Sequence, residues 1–521
     1  MRERALQIFL FIVVVASVPA ALNAQQQRDL SSLDQSLQSV ISEWKIPGAT
    51  VSIVQSDSVV YMKGFGVRDI NTRQPVTPDT LFDIGSCTKA FTAAAIAELV
   101  DDGKMQWDGR VDNYLPAFHL SDPEADEHVT IRDLLTHRTG LPGADLVWYG
   151  SSMGRDELIR RVAYIPSRQG FRSRFEYQNL MFLAAGQAAG QAAGTTWDDL
   201  VHTRIFGPLG MSRSVTTVAE AQKSGDVATP HEQNHDGSIK TIAWFNLDNV
   251  APAGAISSSA RDMAKWIELQ LDDGMYQGKR VISEKNMQEM HEPQMVVPRN
   301  GEIGTVFFPD SMQLSYGLGW FVQDYRGHEL ILHPGDIDGF AAETVLIPEI
   351  HSGFFLAINR TSLGRQVMVY DIVDKLLNLS DAGWSAHFHK LEADSKAEEE
   401  KSMQSWESKR IPGTHPSHDL PAYAGDFENP AYGDANIAFE SGKLVLHFHS
   451  IASDLDHFQY DTFVTGSTAD RKSRVTFFVN GQGQVDKLVF DNITFTRSAP
   501  ATKHQTATSQ QSQDAHTVSA R

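Results

Sequence analysis

The stretch FDIGSCTKAFTAAAIAEL, residues 82–99, joins small, turn-forming residues to an alanine-rich apolar segment. This composition predicts a helix that ends at Gly103, a residue suited to a helix C-cap. Ser86 and Lys89 stand three residues apart and would share one face of the first helical turn. A lysine held there and partly desolvated has a lowered pKa and can accept the serine proton. An ordinary helix start, with the serine as N-cap and a solvated lysine, fits the same residues.

Composition limits the classes of protein to which this chain can belong. Its 521 residues are enough for two or three domains with sizeable cores. The formal net charge of -20 argues against nucleic acid and anionic membranes as partners, since both attract clustered positive charge. Cys87 is the single cysteine, which excludes an internal disulfide and a metal site made only of cysteines.

The N-terminus has the order of a secretory signal peptide. Arg2 and Arg4 precede a long apolar run, the small-residue stretch ALNA and the polar QQQRDL. This order predicts a signal peptide over residues 1–24, cleaved after Ala24, with an uncleaved membrane anchor as the alternative. After cleavage no membrane span is expected, and the protein would be periplasmic or secreted. Export without disulfides favours the bacterial periplasm.

The rest of the chain divides by composition. Residues 25–380 alternate strand-like and helix-like segments, which predicts an α/β or α+β domain with an antiparallel sheet against a helical region. Residues 381–421 are charged, then rich in turn formers, and are interpreted as a linker. Short strands with tight turns over residues 422–498, one turn at residues 480–481, predict an all-β barrel or sandwich. The polar residues 499–521 are predicted to be disordered.

Two further motifs supply groups that a serine nucleophile needs. FEYQNLMF places Tyr177 and Asn179 at the start of another predicted helix, from which they could serve proton transfer and substrate orientation. Downstream, the segments YGLGWFVQDYRGHELILHPG, GFAAETVLIPE and SGFFLAINR predict three successive strands. His333 and Gly335 alternate along the first of these, so both would face one side. A glycine there would let a substrate backbone approach the sheet.

Similar motifs elsewhere are weaker candidates. S-x-x-K recurs at residues 42–45 with no helix after it, and H-x-G recurs at residues 235–237 in a polar loop. Ser152 is the centre of a G-x-S-x-G motif between strand-like and helix-like residues, so an α/β-hydrolase esterase acting through Ser152 is the competing interpretation. The two His-Phe-His stretches at residues 387–389 and 447–449 lack a third ligand at suitable spacing, so no metal is predicted.

The order S-x-x-K, Y-x-N, H-x-G resembles the β-lactamase-related serine hydrolases. That family contains class C β-lactamases, penicillin-binding D-alanyl-D-alanine carboxypeptidases, D-aminopeptidases and carboxylesterases. The segments IPGATVSIV, GFGVRD, VTIRDLLTHRTGLPG, IFGPLGM, AISSSARDMAKWI and YGLGWFV are also similar to family segments, in family order, over about residues 35–375. The implied fold is the β-lactamase/transpeptidase fold.

The resemblance implies a covalent mechanism. Ser86 would be acylated with Lys89 as general base, and Tyr177 would be the proton partner that also serves the leaving group. The backbone N–H groups of Ser86 and Asp336 would form the oxyanion hole. Asp336 departs from the family pattern, in which small residues are more usual. Its carboxylate would disfavour an oxyanion unless the side chain turns to the opposite face.

The resemblance also implies how substrate is held. Asn179 would bind the substrate amide and Gly335 would border the substrate strand. His333 stands where many members carry a lysine, and its weaker, pH-dependent charge would face a substrate carboxylate. This difference favours D-amino-acid peptides or esters over a dedicated antibiotic-degrading activity. The expectation is an exported serine hydrolase of peptide, ester or β-lactam substrates that uses no cofactor.

The C-terminal β domain resembles the lipocalin-like domains appended to some family members. It would cover the active site or mediate homo-oligomerisation. A non-catalytic penicillin-binding sensor, or an interaction protein that works through the β domain, are the alternatives from other classes. Cys87 would point about 100° around the helix from Ser86 and is predicted to be a core residue.

Overall fold

The structure, a computed structural model, describes Leu30, residues 32–466 and residues 472–498. The predicted signal peptide and C-terminal tail lie outside the described residues. An α/β domain is followed by a closed β-barrel, as the sequence predicts. Within the described ranges, no helix has both the length and the apolar character needed to cross a membrane.

In the first domain the long strands lie near the two ends of its sequence, and most helices lie between them. Its strands are β1 (Gly48–Gln55), β2 (Ser58–Gly66), β3 (Phe82–Asp83), β4 (His231–Gln233), β5 (Ile239–Thr241), β6 (Ser257–Ser258), β7 (Met275–Tyr276), β8 (Lys279–Arg280), β9 (Met295–Val296), β10 (Ser311–Tyr316), β11 (Phe321–Tyr325), β12 (His328–Ile337), β13 (Phe340–Ile347) and β14 (Ser352–Ile358). Its helices are α1 (Leu33–Glu43), α2 (Thr88–Asp101), α3 (Pro123–His128), α4 (Ile131–Leu135), α5 (Arg155–Arg161), α6 (Asn179–Ala193), α7 (Trp197–Val201), α8 (Gly207–Leu209), α9 (Val218–Lys223), α10 (Ala251–Gly254), α11 (Ala260–Leu271), α12 (Glu284–His291), α13 (Glu302–Phe307) and α14 (Gly364–Leu377).

The central sheet is antiparallel, with the strand order β2-β1-β14-β13-β12-β11-β10-β9. Strands from the two ends of the domain pair in its middle, where Ala49 lies opposite Ile358. Every residue of β1, β13 and β14 is buried, because helices α11 and α14 pack against these strands. Strands that are covered on both faces are expected to have nearly continuous apolar sequences, as these strands do.

One predicted strand is a hairpin. The segment YGLGWFVQDYRGHELILHPG contains both β11 and β12, joined by a turn at Arg326 and Gly327. Both turn residues have positive φ, 52° and 86°, which is the geometry of a type I′ turn. The sequence signal for this turn is Asn-Gly or Asp-Gly, so Arg-Gly did not reveal it.

Helix α2 lies at the centre of the domain. All its residues from Thr88 to Leu99 are buried, as its apolar composition on every face requires. Gly103 has φ +70° just beyond its C-terminus, in agreement with the predicted helix end. The helix packs on α6 and α10, which bring the second candidate motif beside the first.

A long helix, α15 (Trp384–Ser408), occupies most of the predicted linker. Its N-terminal Trp384 and Phe388 are buried against the first domain, and near its C-terminus Trp406 stacks on Phe458 of the barrel at 4.4 Å between ring centroids. The residues between are mostly polar, as expected of a largely solvent-exposed helix between domains, although Leu391 packs against the first domain. Its 25 residues span about 37 Å, so α15 fixes a distance between its two attachment points.

The second domain is a closed barrel, which decides between the predicted barrel and sandwich. Its strands are β15 (Gly425–Asn429), β16 (Gly433–Glu440), β17 (Lys443–Phe448), β18 (Ile451–Gln459), β19 (Thr462–Thr465), β20 (Arg474–Val479), β21 (Val485–Phe490) and β22 (Ile493–Arg497). Each pairs with the next and β22 pairs with β15, an up-and-down order shared with lipocalins. At the predicted turn, Gly483 rather than Gly481 has positive φ, and Asn480 N–H donates to the Gln484 carbonyl.

The barrel docks on the loop that follows α4. Ala431, from the β15–β16 turn, is buried in the core of the first domain, and Leu146 of the first domain packs against the barrel core. Arg161 donates a 2.8 Å hydrogen bond to the Pro430 carbonyl. The barrel therefore contacts the segment between Asp145 and Met153, which also lines the candidate active site.

Replacing Asp374 by leucine is expected to destabilise the first domain by about 3 kcal/mol, because it leaves buried donors without their acceptor. The buried Asp374 carboxylate accepts hydrogen bonds from Tyr325 Oη (2.6 Å), Arg326 Nη1 (2.9 Å) and Trp384 Nε1 (3.1 Å). Urea unfolding measures the loss. Asp394→Leu, which removes an exposed ion pair on α15, is the control and should cost under about 1 kcal/mol. Equal stability of the two variants would contradict this role.

Candidate active site

Ser86 lies in a tight turn between β3 and α2. The turn is a short 3₁₀ segment, Gly85–Cys87, whose Gly85 has φ +50°. Asp83 Oδ1 accepts a 2.9 Å hydrogen bond from the Gly85 N–H and holds the turn from behind. Cys87 is buried and its Sγ donates to the His333 carbonyl at 3.1 Å, so it is a core residue, as predicted.

Lys89 is completely buried beside Ser86. Its Nζ lies 2.9 Å from Ser86 Oγ and donates to Asn179 Oδ1 at 2.7 Å and to the Ala253 carbonyl at 2.8 Å. No side chain caps α2, so the alternative of a serine cap with a solvated lysine is wrong. Burial lowers the pKa of the Lys89 amine to about 7. A large fraction of the amine is therefore neutral at physiological pH and able to accept a proton.

Tyr177 and Asn179 enter the same cluster from the start of α6. The Tyr177 side chain is hydrogen-bonded to Ser86, and Lys89 Nζ lies 4.7 Å from the centre of its ring. Burial raises the pKa of Tyr177 well above its ordinary value, so the phenol keeps its proton. Asn179 donates through Nδ2 to Asp145 Oδ1 at 3.0 Å while its Oδ1 accepts from Lys89, which links the amine to a carboxylate.

The strand β12 supplies the opposite wall. Its pairing with β11 ends at Leu332, whereas its pairing with β13 continues to Ile337. Among the described strands, none pairs with residues 333–337 on the β11 side. This strand edge borders the cavity in front of Ser86 and can receive an extended peptide.

Gly335 lets β12 approach the nucleophile turn. A Cβ at this position would collide with the Ile84 carbonyl oxygen and lie 3.0 Å from the Ser86 nitrogen. A Cβ on Gly85 would in turn lie 2.9 Å from the Asp336 nitrogen. The backbone amides of Ser86 and Asp336 are therefore close together, as a two-donor oxyanion site requires.

His333 is buried and neutral. Its Nδ1 lies 2.6 Å from the Pro334 carbonyl, which can only accept, so Nδ1 carries the proton and Nε2 accepts from Tyr316 Oη at 2.9 Å. Burial lowers the pKa of His333 to about 3, and the charge of Lys89 adds to this effect. The sequence analysis expected His333 to offer a pH-dependent positive charge to a substrate carboxylate. In this environment His333 is neutral near pH 7 and does not offer that charge.

Asp336 is paired with a buried arginine that the sequence analysis did not identify. Arg365 Nη1 donates to Asp336 Oδ2 at 2.9 Å, to the Gly335 carbonyl at 3.0 Å and to the Ala342 carbonyl at 2.9 Å. The ion pair offsets the negative charge beside the two amides, which answers the objection raised by a carboxylate at this position. Arg365 also lies 3.5 Å from the buried Glu343, whose pKa burial raises to about 8.

His137 is a second residue that the motifs did not reveal. It is buried with φ +55°, accepts a hydrogen bond from the Gln178 N–H through Nδ1, and places its ring 4.3 Å from that of Tyr177. Asp145, in the loop contacted by the barrel, is the third. A left-handed histidine and a loop aspartate have no local sequence signature, so only the assembled fold brings them to the site.

The cavity in front of Ser86 has a volume of about 450 Å³. Much of its wall is apolar, formed by Trp148, Ile303, Phe307, Phe321 and Ile337. Among the described residues that line it, the acidic side chains are Asp145, Asp336 and Asp338. The cavity suits an apolar group, and it offers no lining arginine or lysine within the described chain for a substrate carboxylate.

The competing motifs lie away from this cluster. Ser152 is exposed in a coil segment at the barrel contact, and the residues directly before it form a 3₁₀ helix and a turn rather than a strand, so the α/β-hydrolase interpretation is wrong. Residues 42–45 lie at the end of α1, and residues 235–237 form the turn between β4 and β5. His387 and His389 are on the helix α15 rather than on a strand. The described ranges contain no group of three or more His, Cys, Asp or Glu placed to hold a metal ion.

The antiparallel sheet, the buried S-x-x-K helix and the strand beside it define a serine hydrolase of the β-lactamase fold. The chain belongs to the beta-lactamase family, whose family model matches residues 33–376. A second model, a domain of unknown function (DUF3471), matches residues 409–508.

One relative supports the family assignment, and two solved structures share the fold. An unguisins hydrolase from Aspergillus campestris (strain IBT 28561) is 30% identical over 439 residues, covering 80% of this chain and 79% of the relative. The octameric penicillin-binding protein homologue from Pyrococcus abyssi has a similar fold, with a TM-score of 0.60 and 21% identity over 90% of this chain and 100% of its own. The D-amino acid amidase from Ochrobactrum anthropi SV3 has a TM-score of 0.57 and 23% identity over 67% of this chain and 99% of its own.

Hydrolytic activity is expected to rise with pH through about 7. The pKa of Lys89 is lowered to about 7, and the neutral amine is the form able to accept a proton, so kcat/KM should increase as Lys89 deprotonates and then level off. The measurement is kcat/KM between pH 5 and 9, with circular dichroism at each pH as the control for folding. A flat profile, or one that falls across this range in folded protein, would contradict Lys89 as the base.

Proposed function

We propose that this chain is an exported serine hydrolase that forms an acyl-enzyme on Ser86 and acts on amide or ester bonds of D-amino-acid peptides. The observation that carries the proposal is the buried Lys89 amine, 2.9 Å from Ser86 Oγ. The signal-peptide pattern of residues 1–24 supports export.

The contacts support the following order of events. Neutral Lys89 takes the proton as Ser86 Oγ attacks the carbonyl carbon, and the amides of Ser86 and Asp336 stabilise the negative oxygen of the tetrahedral intermediate. Tyr177, still carrying its proton, donates it to the leaving amine or alkoxide, and the tyrosine oxygen then takes up the proton that Lys89 removed from Ser86. Water then attacks the acyl-enzyme by the same proton route and releases the acid.

The surroundings of Ser86 support amides and esters over substrates that need a bound carboxylate. His333 is neutral, and the cavity presents Asp145 and Asp338 to an anion, besides Asp336, whose charge is offset by Arg365. Penicillins and C-terminal D-alanine peptides carry such a carboxylate and would be repelled. The name of one similar protein, a D-amino acid amidase, agrees with amide hydrolysis, and that of another, an unguisins hydrolase, agrees with hydrolysis.

Intact-mass spectrometry combined with turnover tests the proposal. The p-nitrophenyl ester and p-nitroanilide of D-phenylalanine are expected to give Ser86-dependent hydrolysis, with a transient adduct in rapidly quenched samples that is absent in Ser86→Ala. Ser42→Ala and Ser152→Ala, which alter the two competing motifs, are the matched controls and should keep full activity. Loss of hydrolysis in Ser152→Ala but not Ser86→Ala would overturn the assignment.

Benzylpenicillin separates the remaining classes in the same assay. Slow reaction relative to the D-phenylalanine ester is expected, because its carboxylate meets the acidic cavity. A lasting Ser86 adduct with no turnover of ester or anilide would instead identify a penicillin-binding sensor. If none of the three compounds reacts at Ser86, the catalytic proposal is wrong.

A further inference from the structure

The cavity in front of Ser86 opens into a second, larger cleft. Tyr149, Asp338 and Thr361 line both spaces, and the second has a volume of about 1210 Å³. Tyr149 Oη donates a 2.6 Å hydrogen bond to Asp338 Oδ2, which fixes this aromatic side chain at the opening. A substrate longer than one residue on this side of the scissile bond would have to enter the cleft.

Two elements form the walls of the second cleft. One wall is the β4–β5 hairpin, with His231, Gln233 and Gly237 among the lining residues. The other is α15, whose lining residues recur at the three- and four-residue spacing of one helical face: Glu392, Lys396, Glu399, Glu400 and Met403. Because α15 is attached at one end through Trp384 and at the other through Trp406, the cleft has a defined width.

The lysine and arginine side chains that line the described cleft have partners within the protein. Lys396 Nζ donates to Glu392 Oε1 at 3.1 Å, Lys472 Nζ lies 3.7 Å from Glu407 Oε1, and Arg360 donates to the Trp44 carbonyl. Acidic side chains also line the cleft. Glu399 and Glu400 make no ion pair with the residues that the structure describes, and Asp338 stands at the opening.

The edge of β12 directs an extended chain into this space. Residues 333–337 border the cavity without a neighbouring strand on the β11 side, in the described part of the sheet, and the next residue is Asp338. A peptide that adds to this edge by main-chain hydrogen bonds runs past Asp338 toward α15. Its side chains would then meet the carboxylates of the cleft.

We propose that this cleft binds the continuation of a peptide substrate and selects positively charged side chains, lysine or arginine, through Asp338, Glu399 and Glu400. The inference rests on the serine-hydrolase function proposed above and names its substrate class: peptides of several residues carrying positive charge beyond the residue acylated on Ser86. A single-residue D-aminoacyl ester would occupy the cavity and leave the cleft empty.

The test compares two substrates in three proteins. The substrates are the p-nitrophenyl ester of D-phenylalanine and a D-phenylalanine-containing pentapeptide with two lysines, and the quantity is the ratio of their kcat/KM values. The double variant Glu399→Lys/Glu400→Lys is expected to lower the peptide-to-ester ratio about tenfold, because two exposed attractions become repulsions. Glu398→Lys, a neighbour on α15 that does not line the cleft, is the matched control and should keep the wild-type ratio.

The outcomes separate this inference from the proposed function. The wild-type ratio should fall toward that of the double variant as salt rises from 0.05 to 0.5 M, since salt screens exposed charges. If the ratio is equal in all three proteins while hydrolysis still depends on Ser86, the proposed role of the cleft is wrong and the proposed function stands. A double variant that prefers a matched pentapeptide with two glutamates confirms charge selection. Hydrolysis that persists in Ser86→Ala overturns the function and the cleft together.

Discussion

Replacing Lys89 by methionine is expected to lower kcat/KM for the D-phenylalanine ester by about 10³-fold, the range typical of losing a general base. Methionine nearly preserves the volume of the buried side chain, but it removes the amine that lies 2.9 Å from Ser86 Oγ. Lys89→Arg is expected to fail as completely, because a guanidinium stays protonated at every accessible pH and cannot accept the serine proton. Steady-state kinetics at pH 8 measure both variants.

The chain offers a matched control for this substitution. Lys45 belongs to the other S-x-x-K sequence, is exposed, and donates to the Gly237 carbonyl at 3.0 Å. Lys45→Met should retain wild-type activity. Thermal unfolding shows whether Lys89→Met is folded, and a folded Lys89→Met with activity within tenfold of wild type would exclude Lys89 as the base that activates Ser86.

The parts of the site that could be predicted from sequence are those set by local spacing. Ser86 and Lys89 meet because three residues make nearly one helical turn, and Tyr177 and Asn179 start a helix of their own. Alternation along β12 places His333 near the site in the same way, and the resemblance to a known family joined the three motifs. The all-β character of the second domain, as a barrel or a sandwich, could also be predicted because alternating strands and turn residues are local signals.

The electrostatics of the site depend on contacts far apart in sequence. The neutral state of His333 results from burial and from Tyr316, and the ion pair of Asp336 comes from Arg365 on α14, after two further strands. Asp145 reaches Asn179 from a loop held by the barrel. Such contacts cannot be recognised in any single segment of the sequence. A site residue can therefore be predicted correctly while its charge in the folded protein stays unknown.

The predicted linker shows that sequence also does not reveal contacts between the two domains. Its charged composition indicated a linker between two domains, yet it could not indicate a helix that is held at both ends. Trp384 provides one attachment by donating to Asp374 of the first domain. Trp406 provides the other by stacking on Phe458 of the barrel. The cleft beside α15 exists only because both attachments form.

Replacing Gly335 by alanine is expected to lower kcat/KM by about 100-fold, because a displacement of about 1 Å between reacting groups has an effect of this size. The added Cβ would lie 2.9 Å from the Ile84 carbonyl carbon and 3.0 Å from the Ser86 nitrogen, so β12 and the nucleophile turn must separate. Both obstructing groups are backbone and cannot rotate away. The same strain should lower the free energy of unfolding by about 1–3 kcal/mol.

Kinetics and urea unfolding of Gly335→Ala together show how the strand acts. Gly481→Ala is the control, since a Cβ there meets no atom within 4 Å and the φ of Gly481 is not in the left-handed region. Activity lost in a variant that remains folded at the assay temperature would mean that β12 positions the Asp336 amide against Ser86. Wild-type activity in Gly335→Ala would show that the two amides need not be so close, and the oxyanion hole would then have to use other donors.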